Sequence, residues 1–139
     1  MTQLWLKMTA CELGRGIDNG SISPIALVKT YLEAVRNHPL NNDIYARISS
    51  ERALKEANAA EIRAKTNNRL SLLDGVPISW KDLFDSKGIN TEAGSMLLSG
   101  RIPESDAVVL DNATQAGLVC IGKTHMSELA FSGLGLNPM

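Results

Sequence analysis

The sequence predicts an α/β fold in which helices are layered on a mixed sheet, and three observations carry that prediction. Segments with apolar residues at helical spacing alternate with short β-branched or aromatic runs. Glycine and proline punctuate the boundaries between them. The 139 residues amount to one domain, at about 150 residues per domain. Alternation of this kind favours parallel or mixed strand pairing and leaves strand order open.

Taken in order, a short helix is expected from Thr9 to about Ile17. Ser23-Pro24 then reads as an N-cap followed by proline at the first helical position, and Ile25, Val28, Tyr31, Leu32 and Val35 recur on one face as far as Asn37. Ile44 to Ile48 is β-branched and aromatic and predicts a short strand. A third helix begins near Ser50, where Ala53, Ala57, Ala60 and Ala64 make a narrow stripe that packs either closely or weakly. Leu73-Asp74-Gly75 forms a turn, Val76 to Leu83 a strand with Pro77 at its start or on an edge, and Gly88 interrupts the next segment. Asp106 to Ala116 has helical composition with Gly117 as its stop, and Leu118 to Ile121 is a compact buried-strand run. The chain thus divides into a helical part over about 1–70 and an α/β part over about 71–139.

Composition removes several classes of function. Apolar residues make up 44% and charged residues 21%, enough to bury roughly two-thirds of the unfolded surface, so the chain is not disordered. Fourteen Lys and Arg against fifteen Asp and Glu leave a net charge of -1, and with no basic stripe direct nucleic-acid binding has no electrostatic support. Apolar runs such as Ala107 to Leu110 fall far short of the roughly 20 residues that cross a bilayer. The first residues lack the apolar core of a secretory signal, so a cytoplasmic protein is expected. Cys11 and Cys120 are read as small buried residues, and His38 and His125 have no ligand-spaced partners, so neither a metal nor a cofactor is expected.

One motif invites a misreading. Gly117 to Thr124 matches the phosphate-loop pattern of glycine, four residues, then Gly-Lys-Thr. That pattern binds phosphate where a flexible loop follows a strand and opens a helix. Here the segment before Gly117 is helical and the four central residues suit a strand, so Lys123 is expected to cap a strand end or make a surface ion pair.

A second lysine is the candidate for chemistry. In Gly75-Val76-Pro77-Ile78-Ser79-Trp80-Lys81-Asp82, two-residue alternation sets Lys81 on one face with Ser79 and Leu83, and Ile78, Trp80 and Asp82 on the other. An ordinary lysine is neutral in only about one copy in 2,500 at pH 7. Burial that destabilises the ammonium by roughly 4 kcal/mol makes it a base able to accept a serine proton. The local alternative is a strand-end lysine reaching a salt bridge or solvent.

The run LDGVPISWKDLFD from Leu73 to Asp85, then GINTEAGS from Gly88 to Ser95, then Asp106-Ala107-Val108-Val109 and Ala116 to Glu128, resembles in order and spacing the N-terminal core of the amidase signature family. That family includes the glutamyl-tRNA amidotransferase A subunit. The resemblance implies an incomplete amidase signature fold and cleavage of amide C–N bonds, or transfer of ammonia from an amide, by a Ser, cis-Ser and Lys triad. It places Lys81 at the triad lysine, and Ala130, Phe131 and Ser132 in the wall of the acyl pocket, the alternative being that Phe131 fills the core and Ser132 satisfies a loop. Gly94-Ser95 matches as a tight backbone path without a catalytic task. Both triad serines belong to a Gly-Ser-rich stretch beyond the matched region, so the chain is expected to be inactive alone. A small-molecule amide is the expected substrate of the complete enzyme. A homo-oligomer or a complementing chain is the expected partner, since strand edges lacking their neighbours invite association.

Overall fold

The computed structural model describes residues 2–131 and 133–139. Helix α1 is a single turn, Thr2–Trp5, and α2 spans Ala10–Asp18. The start of α2 is set by a reciprocal cap: Thr9 Oγ1 accepts from the Glu12 amide and Glu12 Oε2 accepts from the Thr9 amide at 2.7 Å. That backbone bond also holds the Glu12 carboxyl below its ordinary range. Helix α3, Pro24–Asn37, begins as its sequence demands, with Ser23 Oγ accepting from the Ala26 amide and Pro24 at the first position. A second single turn, α4 (Asn41–Ile44), leads into β1 (Tyr45–Ile48) and then α5 (Ser50–Lys65).

Strands β2 (Pro77–Lys81) and β3 (Val119–Thr124) flank a long loop and helix α6 (Val108–Gln115). The sheet runs β1-β3-β2, with β1 antiparallel and β2 parallel to the central strand. A mixed sheet with β3 in the middle is the outcome that the alternating pattern allowed. Helix α6 starts two residues later than expected because the Asp106 carboxylate is engaged elsewhere, by the Arg52 guanidinium at 2.9 Å and the Lys87 amide at 2.7 Å.

The core follows from which residues are small and which are large. Ala53, Ala57 and Ala60 are buried. Ala53 and Ala57 pack with Val28 and Leu32 of α3 and with Val119 and Ile121 of β3. The alanine stripe therefore packs closely. On the other side of β3, Cys120 joins Trp80 and Leu110, backed by Ile78 and Ala113. Cys120 is buried as expected, whereas Cys11 is exposed, a correction that follows from its place on the outer face of α2, whose buried residues are Leu13, Gly14, Gly16 and Ile17.

The phosphate-loop look-alike is resolved by packing. Its first glycine closes α6 at φ +89°, and a Cβ there would lie 2.3 Å from the buried Asp74 carboxylate. Its second sits inside β3, where a Cβ would meet the Arg47 carbonyl at 2.7 Å and the Tyr45 ring at 3.0 Å. Both glycines are demanded by neighbouring protein atoms, and residues 119–124 form a strand, not an anion cradle. Gly117→Ala is expected to cost about 3 kcal/mol or more through the left-handed backbone and the clash with Asp74. Gly20→Ala, at φ +75° in open space, is expected to cost about 1 kcal/mol. Urea denaturation of the two variants tests this, and equal midpoints would contradict it.

Candidate functional site

Two lysines lie on paired strands and meet opposite environments. The pairing of β2 with β3 sets Trp80 against Lys123 and Lys81 against Thr124. Around the end of β2 the alternation is clean: Trp80 and Asp82 are buried, Lys81 and Leu83 exposed. Lys81 ends its strand toward solvent and forms no salt bridge among the described residues. The burial that would turn it into a base is not supplied by these residues. Two positions back, Ser79 Oγ and the Tyr45 hydroxyl are 2.7 Å apart, a hydrogen bond that crosses the sheet from β2 to β1.

Lys123 is the buried lysine, with no exposed surface. This corrects the expectation of a strand-end cap or surface ion pair. The cause is its place in the central strand, beneath the loop that leaves β2. Its ammonium donates to the Phe84 carbonyl and to Thr91 Oγ1, both at 2.7 Å, and pairs with Asp82 Oδ1 at 3.3 Å. Burial is the largest influence on this ammonium and pushes its pKa down, with Asp82 opposing.

Asp82 is also the hub of a wider network that local sequence patterns did not reveal. Arg47 Nη1 donates to Asp82 Oδ1 at 2.9 Å and to the Asn90 carbonyl at 3.1 Å, and Arg47 Nη2 to Glu92. Glu92 Oε1 accepts from the Gly100 amide at 2.6 Å, the main reason its carboxyl lies below the ordinary carboxylate range. Farther along the loop, Arg101 grips Asp85 with two bonds of 2.7 Å and lowers that carboxyl as well. Two cations and two carboxylates therefore fasten residues 82–101 to β1 and β3. The available signal was a charged residue in each of three apolar strand runs, Arg47, Lys81 and Lys123.

The other residues singled out in the sequence contribute no side chain to that network. Ser95 is buried, donates to Glu128 Oε1 at 2.8 Å and accepts from the Leu97 amide. It therefore has a structural use on the path following Gly94. Ala130 is exposed in the left-handed region at φ +57°, next to Leu129 at φ +50°, conformations that cost a non-glycine residue energy. Phe131 is 93% exposed, which corrects the alternative that it fills the core; the chain leaves the sheet after β3 and carries the ring outward. Ser132 lies outside the described residues. A groove of about 800 Å³ opens beside α5, but it excludes Lys81, and the guanidiniums of Arg52 and Arg63 that line it are already paired with Asp106 and Asp74.

A family profile described as Amidase matches residues 26–139. This chain belongs to the amidase family. Among curated relatives, the glutamyl-tRNA(Gln) amidotransferase A subunit of Marinobacter nauticus is 38% identical over 123 residues, covering 88% of this chain and 25% of that protein. The mitochondrial counterpart from Ornithorhynchus anatinus is 35% identical over 125 residues, covering 90% and 24%. Among solved structures, an amidase aligns with a TM-score of 0.82 at 31% identity, over 94% of this chain and 30% of the other. The native peptide amidase of Stenotrophomonas maltophilia aligns with a TM-score of 0.81 at 26% identity, over 88% and 25%. The chain thus spans about a quarter of the length of the curated relatives it matches. The described helices are too short or too polar to cross a membrane.

The network makes an acid-labile contribution to stability. Because the folded Glu92 carboxyl is held below its ordinary value of 4.5, its contribution is present above that value and lost as pH falls through the depressed one. Urea midpoints measured from pH 7 to pH 3 should fall, and Glu92→Gln should lose less over that interval than the parent. An equal loss in both would contradict this assignment.

Proposed function

We propose that these 139 residues are the N-terminal part of an amidase-type hydrolase that cleaves carboxylic amide C–N bonds, with Lys81 as the lysine of a Ser, cis-Ser and Lys triad. The observation that carries this is the amidase match over residues 26–139 together with the end of β2, where Lys81 alone projects between two buried neighbours. The side chain is ordered at its root and uncovered at its tip, as an amine should be if a further segment is to enclose it.

In the complete enzyme the neutral Lys81 amine accepts a proton from the bridging serine, which in turn takes one from the nucleophilic serine. The serine oxygen bonds to the amide carbon, the C–N bond breaks, and the departing nitrogen receives the proton. Water then hydrolyses the acyl-enzyme. In this reading both serines, and the desolvation that makes Lys81 neutral, come from outside these residues. Ala130, Phe131 and Ser132 are proposed to wall the acyl pocket, which gives the exposed Phe131 ring an occupied face to meet. Release of ammonia to water and transfer of ammonia, as the names of the amidotransferase relatives describe for those proteins, use the same first half-reaction. A cytoplasmic setting accompanies this reading.

A second reading has its own observation. β1 and β2 are both sheet edges, and Leu97, Phe131 and Leu136 are exposed apolar residues, features that favour a fragment working with a complementing chain.

The 139-residue chain alone is expected to release no product from p-nitroanilides or glutamine. Fused in place of the matching segment of the peptide amidase, it should give an active chimera that Lys81→Met slows by about a thousandfold or more, in line with loss of a triad member. An unfused chain with robust, Lys81-dependent turnover, or a chimera indifferent to Lys81→Met, would overturn the assignment.

A further inference from the structure

We propose that Lys123 is a positioning residue for Lys81: its ammonium, sealed inside the protein, fastens the turn that starts at Lys81 and sets the direction in which that side chain leaves the sheet. The inference rests on Lys81 being the proton-transfer lysine. It assigns separate tasks to two lysines on adjacent strands, one exposed for chemistry and one buried to hold it in place.

The geometry connects them through few atoms. The Lys81 carbonyl accepts from the Phe84 amide at 3.1 Å, closing a turn immediately after β2. The Phe84 carbonyl at the far end of that turn accepts from Lys123 Nζ at 2.7 Å. Inside the turn, Asp82 donates its amide to the Thr124 carbonyl at 2.9 Å, next to Lys123 in β3, and its carboxylate faces the same ammonium. Thr91 Oγ1 is the third acceptor at 2.7 Å. An ammonium has three protons and no acceptor, and here three oxygens meet them: one from the turn's end, one from its second residue and one from the returning loop.

The arrangement is directional. Arg47 approaches Asp82 from β1 and the Glu92 amide donates to its other oxygen, so removing Lys123 leaves that carboxylate two partners, whereas the Phe84 carbonyl loses its ammonium donor. The oxygens that the Lys123 ammonium meets all belong to residues 82–91, and none of them to α2, α3 or α5. A defect at Lys123 should therefore appear first in the 81–84 turn and only later, if at all, in the helical core. A lysine that merely fills space would destabilise both together.

The test compares the full chain with Lys123→Met by amide hydrogen exchange and by the side-chain ¹H–¹³Cε signal of Lys81, identified by its loss in Lys81→Arg. The expected result is exchange of the Phe84 and Asp82 amides accelerated by about tenfold or more relative to amides of α3, with the Lys81 signal displaced and those of Lys29 and Lys55 unmoved. Unchanged Phe84 exchange and Lys81 signal in a folded variant, or a uniform acceleration across α3 and the turn alike, would overturn the proposal. Should the variant not fold, the parent decides. A slowly exchanging ¹H–¹⁵N ammonium signal near neutral pH, with cross-peaks to Thr91 and Phe84, supports the clamp, and lysine ammonium signals all in fast exchange overturn it. None of these readouts involves turnover, so their failure is separable from failure of the Lys81 assignment in the chimera.

Discussion

The buried meeting of Lys123, Asp82, Arg47 and Glu92 is the constraint on which the candidate site depends. Taking ions out of water costs several kcal/mol each before any attraction is counted. The arrangement is tenable because the charges balance and the oxygens and protons find partners: Phe84 and Asn90 carbonyls, Thr91 Oγ1 and the Gly100 amide complete what the ion pairs leave open. Such a network is poor at adding stability and good at specifying one arrangement, because removing Asp82 takes from Lys123, and removing Arg47 takes from Glu92, its ion-pair partner among the described residues. Here it specifies the path of the long loop between β2 and α6, which contains little regular structure beyond the single 3-10 turn at Met96–Leu98.

The hydrophobic half of the molecule serves the polar half. Alanines on α5 let α3 and α5 approach β3, so the central strand is buried along most of its length and Lys123 is carried into the interior with it. The same strand brings Thr124 beside Lys81 and thereby aligns the exposed end of β2. Both sheet edges lack a neighbouring strand among the described residues, and the apolar side chains of Leu97 and Phe131 stand in water. In the solved amidases that it resembles, the matched part is 25% to 30% of the chain.

Much of the fold was legible because local signals agreed with one another. Ser23 with Pro24 marked a helix start that apolar spacing then continued, and the Ala53, Ala57, Ala60 stripe predicted the α5 contact face. The single turns Thr2–Trp5 and Asn41–Ile44 were not legible, since one turn is too short to show a period. The two lysines show where local reasoning stops. Alternation correctly separated Lys81 from Trp80 and Asp82, but whether a strand lysine is buried depends on which segment crosses over it. For Lys123 that is the loop carrying Phe84 and Thr91, and nothing in VCIGKT announces it. Cys11 was misread because a small apolar side chain was assigned to a core that lies on the other side of α2, and the core alternative for Phe131 fails because the chain carries that ring outward after β3.

The division of labour between the lysines is tested most directly by limited acetylation of the native chain with acetic anhydride, followed by mass spectrometry of each lysine. Lys81 should be modified at the rate of exposed lysines such as Lys65, whose side chain is 73% exposed, while Lys123 stays unmodified until the chain is unfolded in urea. Modification of native Lys123 at a rate comparable to Lys81 would contradict the account, because the ammonium proposed to hold the site would then be in contact with water.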